Sequence, residues 1–140
     1  MHHPIVSTGS YQSLRVLLID DDNFMLELIS DILHDIGIAN VITAAGGRQG
    51  ITAFEAAKPA PDIVICDINM PDKDGFQLME LLAEQKYRGG VILVSGLTSR
   101  VMNSATLMAN FHHLNILGAL PKPIEKNALA ALISKRQSPP

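Results

Sequence analysis

The sequence VLLIDDD, residues 16–22, runs from four apolar residues directly into three aspartates. Short, mostly apolar runs follow at residues 41–45, 63–66, 91–94 and 116–120. Most of these runs are nearly continuous rather than alternating, which is typical of strands buried on both faces of a parallel sheet. The pattern therefore predicts five parallel strands, the first of which ends at the aspartates.

Segments with helical periodicity lie between and after these runs. The first has apolar residues at three- and four-residue steps from Met25 to Ile36, and Gly37 suits a helix end. Weaker patterns at residues 51–54, 78–82, 101–108 and 129–133 predict further helices, with Gly75 before the third. Right-handed crossovers then give an α/β fold: a doubly wound, flavodoxin-like, five-stranded parallel sheet of order 2-1-3-4-5 with five helices.

Length, charge and cysteine usage limit the classes of protein. A chain of 140 residues fits one domain, and its net charge of −3 with scattered basic residues argues against nucleic acid as a direct partner. The single Cys66 excludes an intramolecular disulfide, which favours a reducing compartment. Because no signal peptide or membrane-spanning run is present, we predict a cytoplasmic protein. We expect a flexible segment at 1–12, a domain at 13–136 and the start of a linker to an output domain at 137–140.

Polar residues follow four of the predicted strands. The first strand ends in Asp20-Asp21-Asp22, the third in Asp67 and the fourth in Ser95, while Lys122 follows the fifth. Ligands of doubly wound sheets bind at the carboxyl ends of strands, so these side chains are predicted to converge. A single aspartate at such a junction more often caps a helix, and Asp22 or Asn23 is expected to do so here.

Crowded carboxylates indicate a cation at this edge. Two carboxylates about 5 Å apart repel by roughly 3 kcal/mol at an effective dielectric constant of about 20. Lys122 supplies one positive charge, and Mg²⁺ suits an oxygen site that also holds phosphate. Cys66 is expected to point into the core, away from Asp67. His112 and His113 are interpreted as surface residues, not ligands.

Four motifs resemble those of response-regulator receiver domains, the phosphoacceptor domains of two-component systems. They are VLLIDDD at 16–22, DIVICDINMPDKDG at 62–75, VILVSG at 91–96 and ALPKP at 119–123. The resemblance covers residues from about 14 to 135. It implies that Asp67 takes a phosphoryl group from a sensor histidine kinase or a histidine phosphotransfer protein, so the domain is a signalling phosphoprotein and not an enzyme.

The resemblance also implies a role for each site residue. Asp21 and Asp67 would ligate Mg²⁺ directly, Asp20 partly through water, and Asn69 through its backbone carbonyl. Ser95 would hydrogen-bond a phosphoryl oxygen, Lys122 would pair with the phosphoryl group, and the Lys122–Pro123 peptide would be cis.

The implied output is a change of partner at one surface. In this family that surface is formed by the fourth helix, the fifth strand and the fifth helix. Ala119 stands where the family often has an aromatic switch residue, which puts a ring-based switch in doubt. Residues 115–124 resemble receivers joined to EAL-type cyclic-di-GMP phosphodiesterase domains, and a homodimer is left open.

Two other classes stay open: a binding module, and another protein on a similar fold, either a phosphatase or a flavodoxin. A receiver-like binding module without phosphoryl chemistry would not need Asp20, Asp21, Asp67 and Lys122 together. A haloacid-dehalogenase-type phosphatase would carry its nucleophile on the first strand with an acid two residues later, whereas here Asn69 follows Asp67. A flavodoxin would need a phosphate-binding loop where the three aspartates stand. The Gly-rich 46–50 is interpreted as the start of the second helix.

Overall fold

The computed structural model describes residues 11–68, 74–96 and 113–136, without the side chains of residues 74–76. Five strands form one parallel sheet: β1 (Arg15–Ile19), β2 (Asn40–Ala44), β3 (Ile63–Asp67), β4 (Gly90–Ser95) and β5 (Asn115–Pro121). Their order is β2-β1-β3-β4-β5, which confirms the predicted topology. The helices are α1 (Asn23–Ile36), α2 (Gly47–Ala56), α3 (Asp74–Glu84) and α4 (Lys126–Ser134). The helix predicted at 101–108 lies outside the described residues.

The central strands carry the core. All residues of β3 and β4 are buried, and so are the last four of β1. The prediction of burial on both faces was wrong for β2, in which Asn40, Ile42 and Thr43 are exposed. This difference follows from its position, because β2 is an edge strand and only β1 pairs with it.

The ends of α1 are as predicted. The Asp22 side chain accepts a hydrogen bond from the backbone N–H of Phe24 at 2.9 Å, which caps the first turn. At the other end Gly37 has φ 118°, and its N–H donates to the carbonyls of Leu33 and His34. A left-handed residue is the common way to close a helix, and glycine adopts it without strain.

The glycine-rich segment 46–50 starts α2, as predicted. Gly50 lies against β1, because a Cβ built there would be 2.8 Å from Cδ1 of Ile19. By contrast, Gly75 was predicted to precede the third helix, but it lies inside the first turn of α3, which begins at Asp74. The apolar pattern starts only at Leu78 and could not show this earlier turn.

Leu33→Ala is expected to cost about 3 kcal/mol of unfolding free energy, because Leu33 is fully buried under the sheet and its loss leaves a cavity. Urea denaturation followed by circular dichroism measures the change. Phe24→Ala on the same helix is the control, since Phe24 is 70% exposed and should cost roughly 0.5 kcal/mol or less. Equal losses for the two variants would contradict this packing.

Candidate functional site

The carboxyl edge of the sheet brings the predicted side chains together. Asp20 follows β1, Asp67 ends β3, Ser95 ends β4 and Lys122 follows β5. Backbone hydrogen bonds extend the pairing past the strands: Asp20 N–H donates to the carbonyl of Ala44, and Lys122 N–H donates to that of Ser95. The positions of these groups are therefore set by the rigid sheet rather than by a loop.

Lys122 joins the two buried aspartates. Its Nζ lies 3.1 Å from Oδ2 of Asp67 and 3.3 Å from Oδ2 of Asp20. Asp20 and Asp67 are only 1% and 2% exposed, whereas the Lys122 side chain is 24% exposed. One ammonium thus serves two carboxylates that water scarcely reaches, which leaves a net negative charge in a poorly solvated place.

The protonation behaviour of Asp20 reflects this shortage of positive charge. Burial raises its pKa to about 6, and the charge of Asp67 adds to the rise. The backbone N–H of Asp22, which donates to Oδ1 of Asp20 at 2.9 Å, acts in the opposite direction, as does Lys122. Burial also works against the charge of Lys122, but its hydrogen bond to Asp67 and the nearby carboxylates leave its pKa above the usual value.

The donor set fits a small divalent cation. Asp20, Asp21 and Asp67 each offer a carboxylate oxygen, and these oxygens all lie within 4.8 Å of one another. Within the described chain, the buried Oδ2 of Asp20 accepts no hydrogen bond of good geometry, even with Lys122 close by. Asp21 is exposed, so that side of the group is open to water. Oxygen ligands beside open water suit Mg²⁺, which keeps several of its own waters.

The structure describes three of the five other residues that the sequence singled out near this edge. Ser95 is buried at the end of β4, beside the strand that carries Asp67, as expected. Cys66 is fully buried in the core on one sheet face, and burial raises the pKa of its thiol. His113 is exposed, as expected. Asn69 and His112 lie outside the described residues.

The peptide Lys122–Pro123 is cis, which confirms the prediction.

Sequence reasoning missed the structural role of Asp62, which lies at the opposite edge of the sheet. The carboxylate of Asp62 accepts the backbone N–H of Arg15 at 2.8 Å and pairs with Nη2 of Arg136 at 3.1 Å. The only sequence signal was its place at the start of a strand, which does not reveal a partner 74 residues away.

The fold and the site together define a doubly wound α/β domain that holds an acidic pocket and one ammonium at the carboxyl edge of its sheet. The family model for the response regulator receiver domain matches residues 16–134. The chemotaxis protein CheY of Treponema pallidum is 28% identical over 120 residues, which cover 86% of this chain and 80% of that protein. A crystal structure of a response regulator from Colwellia psychrerythraea has 34% sequence identity and a TM-score of 0.71, covering 86% of this chain and 94% of that one.

The chain therefore belongs to the response regulator receiver domain family, and it is a signalling phosphoacceptor domain. The phosphatase and flavodoxin alternatives are set aside. A protein-glutamate methylesterase/protein-glutamine glutaminase from Archaeoglobus fulgidus is 39% identical over 85 residues, 61% of this chain. The chain spans only about a quarter (24%) of the length of that relative. No helix in the described residues is long and apolar enough to cross a membrane.

Proposed function

We propose that Asp67 accepts a phosphoryl group from a sensor histidine kinase or a histidine phosphotransfer protein. Asp20, Asp21 and Asp67 would hold Mg²⁺, with the backbone carbonyl of Asn69 as a further ligand. The observation that carries this proposal is the shared Lys122 ammonium, which lies within 3.3 Å of two almost fully buried carboxylates. One ammonium does not neutralise two buried carboxylates, so the site favours a bound divalent cation. The same cation would offset the charge of a phosphoryl group on Asp67.

The chemistry of this step uses three side chains. A carboxylate oxygen of Asp67 attacks phosphorus, the bond between phosphorus and the imidazole nitrogen breaks, and the imidazole keeps the electron pair and takes up a proton from water. Lys122 moves its hydrogen bond from the Asp67 carboxylate to a phosphoryl oxygen. The hydroxyl of Ser95 donates a hydrogen bond to another phosphoryl oxygen. Mg²⁺ held by Asp20, Asp21 and Asp67 would supply further positive charge that stabilises the phosphoryl oxygens.

Acetyl phosphate tests the acceptor function without knowledge of the kinase. Incubation of the full chain with acetyl phosphate and Mg²⁺ should add the mass of one phosphoryl group, seen by intact-protein mass spectrometry. Omission of Mg²⁺, with EDTA present, should suppress the addition. A receiver-like module that has lost phosphoryl chemistry would stay unlabelled in both samples.

We further propose that phosphorylation changes the surface formed by β5, α4 and the helix predicted at 101–108. The phosphoryl group adds a charge of about −1.5 to −2, and Ser95 and Lys122 would turn towards it. Ser95 lies at the end of β4, directly before the segment that leads to the predicted helix. Because Ala119 has no ring, the shift would pass through the backbone after Ser95 rather than through an aromatic side chain.

Beryllofluoride, which mimics an acyl phosphate, is expected to shift backbone amide resonances of residues 95–110 when added together with Mg²⁺. The measurement is a pair of ¹H–¹⁵N correlation spectra with and without the mimic. Ser95→Ala should reduce these shifts while the resonances of Asp67 and its neighbours still respond, because the hydroxyl contact is lost and the site remains. Unchanged resonances throughout 95–110 in the wild type would contradict the proposed switch.

A surface that changes on phosphorylation transmits a signal only if another domain or protein binds to it. We propose an output domain or a separate partner protein in the cytoplasm, where histidine kinases present their phosphohistidine. The association with EAL-type domains stays a prediction, as does the homodimer. Both can be checked on the full-length protein, by its sequence and by its sedimentation behaviour.

A further inference from the structure

A groove lies at the end of the sheet opposite the aspartates. One wall of this basic groove is formed by residues between 54 and 60, from the last turn of α2 into the segment after it, and the other by residues 85–88, before β4. Its volume is about 320 Å³. A second cavity of about 420 Å³ shares Lys86, Tyr87 and Arg88 and extends to His113. Asp67 lies at the other end of β3 from Ile63, and the four residue steps between them span roughly 13 Å.

Hydrogen bonds hold both walls of the basic groove in place. The guanidinium of Arg15 donates to the backbone carbonyls of Pro59 and Ala60. The hydroxyl of the buried Tyr87 donates to the carbonyl of Pro61 at 2.6 Å, and its ring meets Phe54 edge to face at 5.2 Å. The floor and the walls are thus formed before any ligand arrives.

Both walls of the basic groove include positively charged residues, all of them exposed. Lys58 lines one wall, and Lys86 and Arg88 line the other. Across the described chain, none of these three forms an ion pair, whereas Lys122, Lys126 and Arg136 all do. Glu55 is the one carboxylate that lines the cavity. Lys86 and Arg88 are close in the sequence, and the fold brings Lys58 to the same cavity.

We propose that the basic groove binds a small anion that carries two or more phosphate charges. The volume falls in the range of small-ligand sites, about 300–1,000 Å³. Cations on two facing walls can contact one phosphate group from both sides, with Arg88 as a planar fork and the lysines as point charges. Repulsion among the three cations is then relieved. The net charge of −3 on the chain disfavours a long polyanion, so the ligand is a free small molecule.

Inorganic pyrophosphate is the probe for this site. The full chain is titrated by ¹H–¹⁵N NMR in the presence of EDTA, so that no divalent cation can hold pyrophosphate at the aspartates. We expect saturable shifts of the amides of Ala57, Lys58 and Ala60 and of residues 85–90, with the amides at 19–22 and 66–68 unmoved. Lys58→Gln and Arg88→Gln should each weaken binding by roughly tenfold or more, because each removes a charge-assisted contact.

Arg48→Gln is the matched control, since Arg48 is also exposed and lies outside the groove. It should bind pyrophosphate like the wild type. A 12-nucleotide single-stranded DNA tests whether the groove prefers a long polyanion. It should bind more weakly than pyrophosphate at 150 mM salt. The proposal is overturned by any of three results: shifts that do not saturate, equal weakening by Arg48→Gln, or tighter binding of the oligonucleotide. The wild-type titration decides the first point even if a variant fails to fold.

Discussion

Asp67→Asn is expected to reduce labelling by acetyl phosphate by roughly 10³-fold or more, to background, because the amide oxygen is a far weaker nucleophile than the carboxylate. The substitution preserves shape, so Lys122 and the strand keep their positions. It also removes one of two buried charges that share an ammonium at 3.1 and 3.3 Å, so the variant should fold at least as stably as the wild type. Intact-protein mass spectrometry measures labelling, and thermal unfolding measures stability.

Asp22→Asn is the matched control for this experiment. It removes a negative charge from the same acidic stretch, but the new amide can still cap α1 through the backbone N–H of Phe24. Labelling should therefore remain close to that of the wild type. If both variants lost labelling to the same extent, general charge near the site would matter rather than a nucleophile at Asp67. If Asp67→Asn kept full labelling, the proposed acceptor would be wrong.

Strands β1, β3 and β4 show why the sheet could be predicted from the sequence. Their apolar runs are continuous because both faces of these strands are buried, so the pattern and the structure have the same cause. The predicted convergence of Asp20, Asp67, Ser95 and Lys122 followed from topology, since parallel strands end at one edge. Burial of Ile42 could not be judged in the same way, because exposure depends on which strand lies at the edge.

What sequence could not supply were contacts between distant side chains. The pair of Asp62 and Arg136 depends on where α4 ends relative to β3. That Lys58 and Arg88 line one cavity depends on how the segments after α2 and before β4 are placed. Neither has a local pattern. The start of α3 was misplaced for a related reason: its first turn carries a single apolar residue, Phe76, and one residue does not make a periodic pattern.

Asp20→Asn is expected to stabilise the metal-free chain at pH 7.5 by about 1–3 kcal/mol and to abolish its stabilisation by Mg²⁺. The pKa of Asp20 is raised from 3.8 to about 6, so between these values the folded chain holds a proton that the unfolded chain has lost. The stability of the wild type should therefore fall as pH rises through this window, and above about pH 6 the full cost of the buried charge is present. The difference between variant and wild type should shrink as pH falls towards 4.

Mg²⁺ reverses the sign of this effect for the wild type. Binding needs the ionised carboxylate, so Mg²⁺ affinity should weaken as pH falls below about 6, and at ten times the dissociation constant Mg²⁺ should add about 1.4 kcal/mol to stability at pH 7.5. Asp21→Asn separates the two contributions. Asp21 is exposed, so its substitution should weaken Mg²⁺ binding without stabilising the metal-free chain. Urea denaturation at pH 5 and 7.5, with and without Mg²⁺, measures the free energy of unfolding of the wild type and of each variant under these four conditions. Equal stabilisation by Asp20→Asn and Asp21→Asn would show that burial of Asp20 is not the source of the cost, because the two carboxylates are neighbours in sequence and differ chiefly in their exposure to water.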